Sequence, residues 1–162
     1  MLAPEVFASR LPLRPDSLVL EIGQGSGYYS AEVAKRVPQG RLEVFDVQRE
    51  MLERCRAKCE SQNLRNVGYV MGDGAALPFG AGHFDVVYMV TVFGEIVDTR
   101  SCLQDVKRVL KPAGTMSIGE HLPDPDFTSF GALRRLTEKA GFVEDRRFAS
   151  LVAYTANFRS PG

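Results

Sequence analysis

Five short apolar runs recur along the chain, and stretches with helical spacing of apolar residues separate them. The first, Leu18-Val19-Leu20, leads through Glu21 into Gly23, Gly25 and Gly27. Val33, Ala34 and Val37 then fall on one helical face, and Pro38-Gln39-Gly40 stops that helix. Arg41 to Phe45 alternates and delivers Asp46. Gln48 to Asn63 is expected to be a helix with Met51, Leu52, Cys55 and Cys59 on its inner stripe. Val67 to Met71 reads as a third strand before Gly72-Asp73-Gly74. Phe84 to Val90 is almost wholly apolar, as a central parallel strand buried on both faces should be. Leu103, Val106 and Leu110 mark a further helix, closed by Lys111-Pro112-Ala113-Gly114, and Thr115 to Gly119 is the fifth strand.

After a loop from His121 to Asp126, a helix over Ser129 to Ala140 turns Leu133, Leu136 and Ala140 inward, with Gly141 at its end. Phe142 to Phe148 and Leu151 to Phe158 read as two strands whose tight link at Ala149-Ser150 makes them antiparallel. Strand–helix alternation of this kind predicts an α/β, Rossmann-like, doubly wound parallel sheet with an antiparallel pair at its end. Residues 1 to 17, broken by Pro4, Pro12 and Pro15, are expected to be an irregular lead-in to a single domain over 1–162.

Composition narrows the function. Twenty basic residues balance twenty acidic ones, so the basic excess of a nucleic-acid binder is missing. No apolar run approaches the roughly 18 residues of a membrane span, and the amino terminus lacks a signal-peptide layout. The three cysteines form no disulfide framework and suit a reducing cytoplasm. Cys55 and Cys59 stand one helical turn apart, but no CxxC or HxxxH spacing supports a metal site with His83 or His121, so no metal is expected.

Three polar signals fall where an open parallel sheet binds ligands, at the carboxyl ends of its strands. The glycines let a ligand lie against bare backbone at the positive end of a helix, or serve only as a turn. Asp46, about 20 residues on, suits a ribose, and Asp73 an exocyclic amine such as that of adenine. Each has a structural alternative: Asp46 as a helix cap, Asp73 as a turn residue. Glu21 either fixes the glycine loop through backbone amides or meets the ligand. The glycine spacing is G-x-G-x-G, with Tyr28 where a dinucleotide fingerprint needs its last glycine. With Glu21 beside it, the loop suits an adenosine carrying a zwitterionic tail better than a diphosphate.

The succession ExGxGxG, FDVQREML, GDGAALPF, FDVVYMV, RVLKPAG and EKAGFV resembles class I S-adenosylmethionine-dependent methyltransferases over about residues 18 to 145, in the style of the ubiquinone/menaquinone C-methyltransferase branch. The resemblance implies a seven-stranded sheet in the order 3-2-1-4-5-7-6. It also implies S-adenosylmethionine as cofactor, S-adenosylhomocysteine as product, and a small-molecule acceptor. Gly23, Gln24, Gly25, Ser26 and Gly27 would hold the methionine portion with Glu21 near its amino group. Asp46 would take the ribose. Val47 and Met51 would pack near ribose and adenine, and Gly72, Asp73 and Gly74 would flank the base. Val90 and Thr91 would line the methionine portion.

Methyl transfer from a sulfonium needs alignment and exclusion of water, and a general base only where the nucleophile must lose a proton. Tyr28, Glu95 and His121, the last with Glu120 beside it, are the candidates at the carboxyl edge. Glu95 stands where many relatives carry a leucine–histidine pair before an isoleucine. No Asn-Pro-Pro-Tyr motif follows the fourth strand, which argues against base-amine or amide nitrogen acceptors. A bare lead-in and a short loop after the fifth strand predict an open acceptor mouth, covered by a large substrate, a second copy or a partner subunit. Two other readings compete: a cofactor-binding relative without activity, and a nicotinamide oxidoreductase, which the glycine spacing and the lack of a Tyr-xxx-Lys dyad disfavour.

Overall fold

The computed structural model describes residues 2–23, 25–73 and 76–161. Seven strands form one sheet: β1 (Leu18–Ile22), β2 (Arg41–Asp46), β3 (Val67–Met71), β4 (Phe84–Val90), β5 (Leu110–His121), β6 (Val143–Ala149) and β7 (Ala153–Arg159). Their order is β3-β2-β1-β4-β5-β7-β6, as the resemblance implied. The pairings from β3 across to β5 are parallel, and β7 pairs antiparallel with both β5 and β6.

Alternation along the strands splits the core in two. Val19, Val44, Val86 and Tyr88 face α1 (Pro4–Arg10), α2 (Ser30–Arg36) and α3 (Arg49–Ser61). Leu20, Ile22, Val87, Met89, Met116 and Ile118 face α4 (Thr99–Val109) and α5 (Phe130–Lys139). Inner strands therefore bury both faces, which is why they read as unbroken apolar runs. Asp98 and Ser129 cap α4 and α5 by accepting from Ser101 N and Ala132 N.

Two segments depart from expectation. The lead-in is not wholly irregular, because Pro4–Arg10 is helical. Proline is at home in the first turn of a helix, where its missing N–H costs nothing, and Phe7 and Ala8 supply the face that packs on α2. The stretch 111–114 does not simply close α4 but already belongs to β5. The register jumps from Phe84↔Leu110 to Val86↔Thr115, so these residues bulge out with Ala113 left-handed at φ 60.

At the amino ends of the strands, Asp85 joins three elements. Its Oδ2 accepts from Leu18 N at 2.8 Å and Lys111 Nζ at 3.0 Å, and its Oδ1 from Arg14 Nη2 at 3.0 Å. Burial pushes its pKa up, but the Leu18 amide, Lys111 and Arg14 outweigh burial and hold it below the ordinary 3.8. A depressed carboxyl contributes stability above its unfolded pKa and loses it as pH falls through the folded one. Asp85→Asn is expected to cost about 1–2 kcal/mol at pH 7. Urea melts should show that gap closing in acid; a gap constant with pH would count against this role.

Candidate functional site

The loops leaving β1 to β5 meet at one end of the sheet. Gly23 N donates to Phe45 O at 2.8 Å, which holds the start of the glycine loop against β2. Gly23 and Gly27 are both left-handed, and a Cβ on either would collide. At Gly23 it would meet Val92 Cγ2 at 2.5 Å, and at Gly27 Cys55 Sγ at 2.8 Å. These two glycines thus let the β4 loop and α3 close onto the turn. Gly25 differs: a Cβ there would find nothing within 4 Å, so open space lies over it. Ser26 is exposed, and Gln24 lies outside the described residues.

Glu21 lies under this loop, only 3% exposed, and its Oε2 accepts from Ser30 Oγ at 2.5 Å. It therefore braces the start of α2 through a side-chain hydroxyl. Its strand neighbour Tyr88 turns a fully buried hydroxyl toward it without closing a hydrogen bond. Burial pushes the Glu21 pKa up to about 7, with the Ser30 hydroxyl holding it back.

At the end of β2, Asp46 is buried and its Oδ1 accepts from Gln48 N at 2.8 Å. This Asx turn points the chain into α3 without capping it, since Gln48 is the capping residue and its own side chain makes no cap bond. Val47 is exposed and Met51 half-buried. Gly72 N donates to Asp46 O at 3.1 Å, and the Phe45 ring fills the space beside Gly72. Asp73 follows, exposed, and Gly74 is outside the described residues. The β1, β2, β3 and β4 exits are thereby brought into direct contact.

After β4, Val90 lines a cleft and Thr91 takes a left-handed φ of 54, its amide donating to Gly119 O at 2.9 Å. A β-branched residue in that region is costly and marks a place where surrounding structure dictates the backbone. Glu95 ends the short 3-10 turn Phe93–Glu95. Its pKa is raised by burial and then by Asp126, Asp124 and Asp46.

Of the acid–base candidates, Tyr28 stays out of the cleft that His121 lines. Tyr28 turns outward beneath Lys58 of α3, whose Nζ lies 5.5 Å from the ring centroid. His121 and Glu120, adjacent in sequence, are placed on opposite faces of β5 by strand alternation. His121 shares with Gly119 the face toward Phe7 and Val90, and both its ring nitrogens are buried without a hydrogen-bond partner. Glu120 lies on the opposite face, beside Tyr154 of β7.

The crevice expected to be an open mouth is not bare either. Helix α1 lies against β4 and β5, with the Phe7 ring 4.6 Å from Tyr29 and 5.4 Å from Tyr88, tilted against both, and close to Gly119. The cleft beneath it is edged by Arg10, Tyr29, Val90, His121 and, from β5 and β7, Glu120 and Tyr154. Of the two adjacent tyrosines it is Tyr29, not Tyr28, that lines this cleft, and its hydroxyl donates to Leu2 O at 3.2 Å. Its position is legible afterwards, because Tyr29 begins the apolar spacing that continues through Val33, Ala34 and Val37.

A methyltransferase domain family matches residues 19–114, more than half of the chain. Protein-L-isoaspartate O-methyltransferase 2 of Rhodopseudomonas palustris is 39% identical over 92 residues, 56% of this chain and 41% of that protein. Ubiquinone/menaquinone biosynthesis C-methyltransferase of Shewanella frigidimarina is 31% identical over 109 residues, 66% of this chain and 43% of that protein. The chain thus spans about two fifths of the length of these relatives. In three dimensions it is similar to a SAM-dependent methyltransferase of Aquifex aeolicus, with a TM-score of 0.90 at 23% identity, covering 97% of this chain and 89% of that one.

Proposed function

Because this chain belongs to the methyltransferase domain family, we propose that it binds S-adenosylmethionine across the ends of β1 to β4 and methylates a small molecule. The observation that carries the reading is the pairing of the open backbone at Gly25 with the buried, anchored carboxylate of Asp46. One offers room for a chain lying on bare backbone, and the other an acceptor for two vicinal hydroxyls.

The bound sulfonium supplies a methyl carbon already activated for displacement. The protein then has to align it, shut out water and receive the acceptor. Asp46 holds the ribose, and Asp73 with Gly72 borders the base. Glu21, beneath the glycine loop, is the counter-charge for the ammonium of the methionine portion. Val90 and Thr91, where β4 ends, would line the methionine portion. Helix α1 gives that side a cover of its own, which favours activity of the chain without a covering subunit. The unpaired Cys55, Cys59 and Cys102 suit a reducing cytoplasm.

Isothermal titration tests this reading. Micromolar binding of S-adenosylmethionine and S-adenosylhomocysteine, with no heat from NADH, is expected. Binding of NADH alone would return the site to the oxidoreductase reading. Silence with all three, and no thermal shift, would make the glycine loop a purely structural turn.

A further inference from the structure

One charged group at the acceptor end has no task in this scheme. Glu120 is 2% exposed, and neither carboxyl oxygen closes a hydrogen bond. Its cross-strand neighbour Tyr154 has its hydroxyl engaged with Thr128 O at 2.6 Å. The Thr128 amide is directed at Glu120 without completing a bond. The charges that act most on Glu120 are negative: Asp124 and Asp126 from the loop after β5, and Glu95 from the 3-10 turn after β4, while Arg10 and His121 line the same cleft. Two arginines nearby are turned to other partners. Arg10 donates to Thr155 Oγ1 at 3.0 Å, and Arg147 lies 4.2 Å over the Phe130 ring. Glu95 also feels the charge of Asp46 at the end of β2.

A buried carboxyl with no completed hydrogen bond and with like charges as its strongest neighbours is relieved by a proton or by a cation. Burial, with those neighbours, pushes its pKa up to about 7, which records the first route. The second calls for a cation that brings its own N–H donors. Among the described residues no three His, Cys, Asp or Glu side chains gather closely enough to hold a metal ion. A carboxylate or phosphate at this end would be repelled, and a neutral alcohol would leave the charge unanswered.

We propose that the methyl acceptor is an aliphatic amine whose ammonium form is held by Glu120, favoured by the charges of Glu95, Asp124 and Asp126, and that Glu120 takes the proton that frees its nitrogen. The inference rests on the methyltransferase reading above. The ammonium N–H bond breaks, with its electron pair staying on nitrogen and the proton passing to the Glu120 carboxylate. The nitrogen lone pair then forms the N–CH3 bond as the C–S bond breaks, its electrons returning to sulfur to give S-adenosylhomocysteine. The product is an N-methylammonium, and the net yield is one proton. A carboxylate whose conjugate acid titrates at about 7 can take a proton from an ammonium in a dry site but not from an alcohol.

The test uses the full chain saturated with S-adenosylhomocysteine, probed by titration with benzylamine and 1,4-diaminobutane against their neutral isosteres benzyl alcohol and 1,4-butanediol. Product formation from S-adenosylmethionine is followed in parallel with the same compounds and with 4-ethylphenol and butanethiol. The amines should bind the loaded protein and be methylated, the neutral compounds neither. Glu120→Gln should weaken amine binding ~10–100-fold, leave cofactor affinity within twofold, and remove the rise of kcat/KM with pH near 7. Glu120→Asp should retain part of the amine binding, which keeps the test valid where Glu120→Gln does not fold. Cofactor binding without response to either amine, methylation of the phenol or thiol instead, or amine turnover indifferent to Glu120→Gln would each overturn the proposal. Absence of cofactor binding would instead remove the methyltransferase reading beneath it.

Discussion

Asp46→Ala is expected to weaken S-adenosylmethionine binding about a hundredfold, measured by isothermal titration at neutral pH. A carboxylate accepting from both ribose hydroxyls forms charge-assisted hydrogen bonds worth ~1.5–3 kcal/mol each, and every 1.4 kcal/mol is a tenfold change in affinity. The variant also loses the bond from Gln48 N, so part of its effect belongs to the turn into α3. Asp46→Asn separates the two contributions. Its side-chain oxygen keeps the Gln48 contact while the charge and one acceptor go, so a melting temperature near wild type with a loss of about tenfold is expected. Equal affinity in all three proteins would mean that Asp46 serves the turn alone.

Glu21→Gln is expected to be more stable than the wild type above pH 7, by up to about 3 kcal/mol. The Glu21 carboxyl titrates at about 7 in the fold against 4.5 as the ordinary value, and burial is the main cause. Between those values the unfolded chain has released a proton that the native chain still holds. Wild-type stability therefore falls as pH rises through the window and levels off above it. Glutamine, neutral throughout and able to keep the Ser30 contact, escapes that fall. Thermal melts at pH 8 should place the variant roughly 6–12 °C higher, with the gap fading toward pH 4.5. A gap independent of pH would mean that Glu21 is not held as a strained acid. On the proposed function the gain costs affinity, because the ammonium loses its counter-charge. Wild-type binding near pH 7 should also release a proton, visible as a buffer-dependent heat.

Much of the sheet was legible because its inner strands are apolar on both faces and end in acids or glycines. Phe84 to Val90 needs no alternation to be recognised, and Asp46 and Asp73 stop their strands at the crevice. What escaped depends on contacts across the chain. Pro4 looked like a breaker, although it opens a helix whose Phe7 is held by Tyr29 and Tyr88. Ala113 and Gly114 read as a helix stop because a left-handed residue in a bulge carries the same signature as one in a helix end. Glu120 was passed over in favour of His121, yet the signal was present. It continues the two-residue spacing of Met116 and Ile118, so it occupies an inward position that an apolar residue would ordinarily fill. Tyr28 and Tyr29 could not be separated until α2 showed which of them faces inward.

The position of β7 between β5 and β6 carries a consequence for how the molecule is born. On the ribosome, β1 to β4 can pair as they emerge, each beside a strand already made. Strand β5 cannot be covered in this way, because its outer neighbour is the last strand of the sheet to be synthesised, and β6 has no other place to attach. The edge of β5, and with it the Tyr154 side of Glu120, stays open until residues 153–159 arrive. A nascent chain thus completes the crevice proposed for the cofactor before the wall proposed for the acceptor, and the unpaired edge between those moments is where mispairing with another chain would begin.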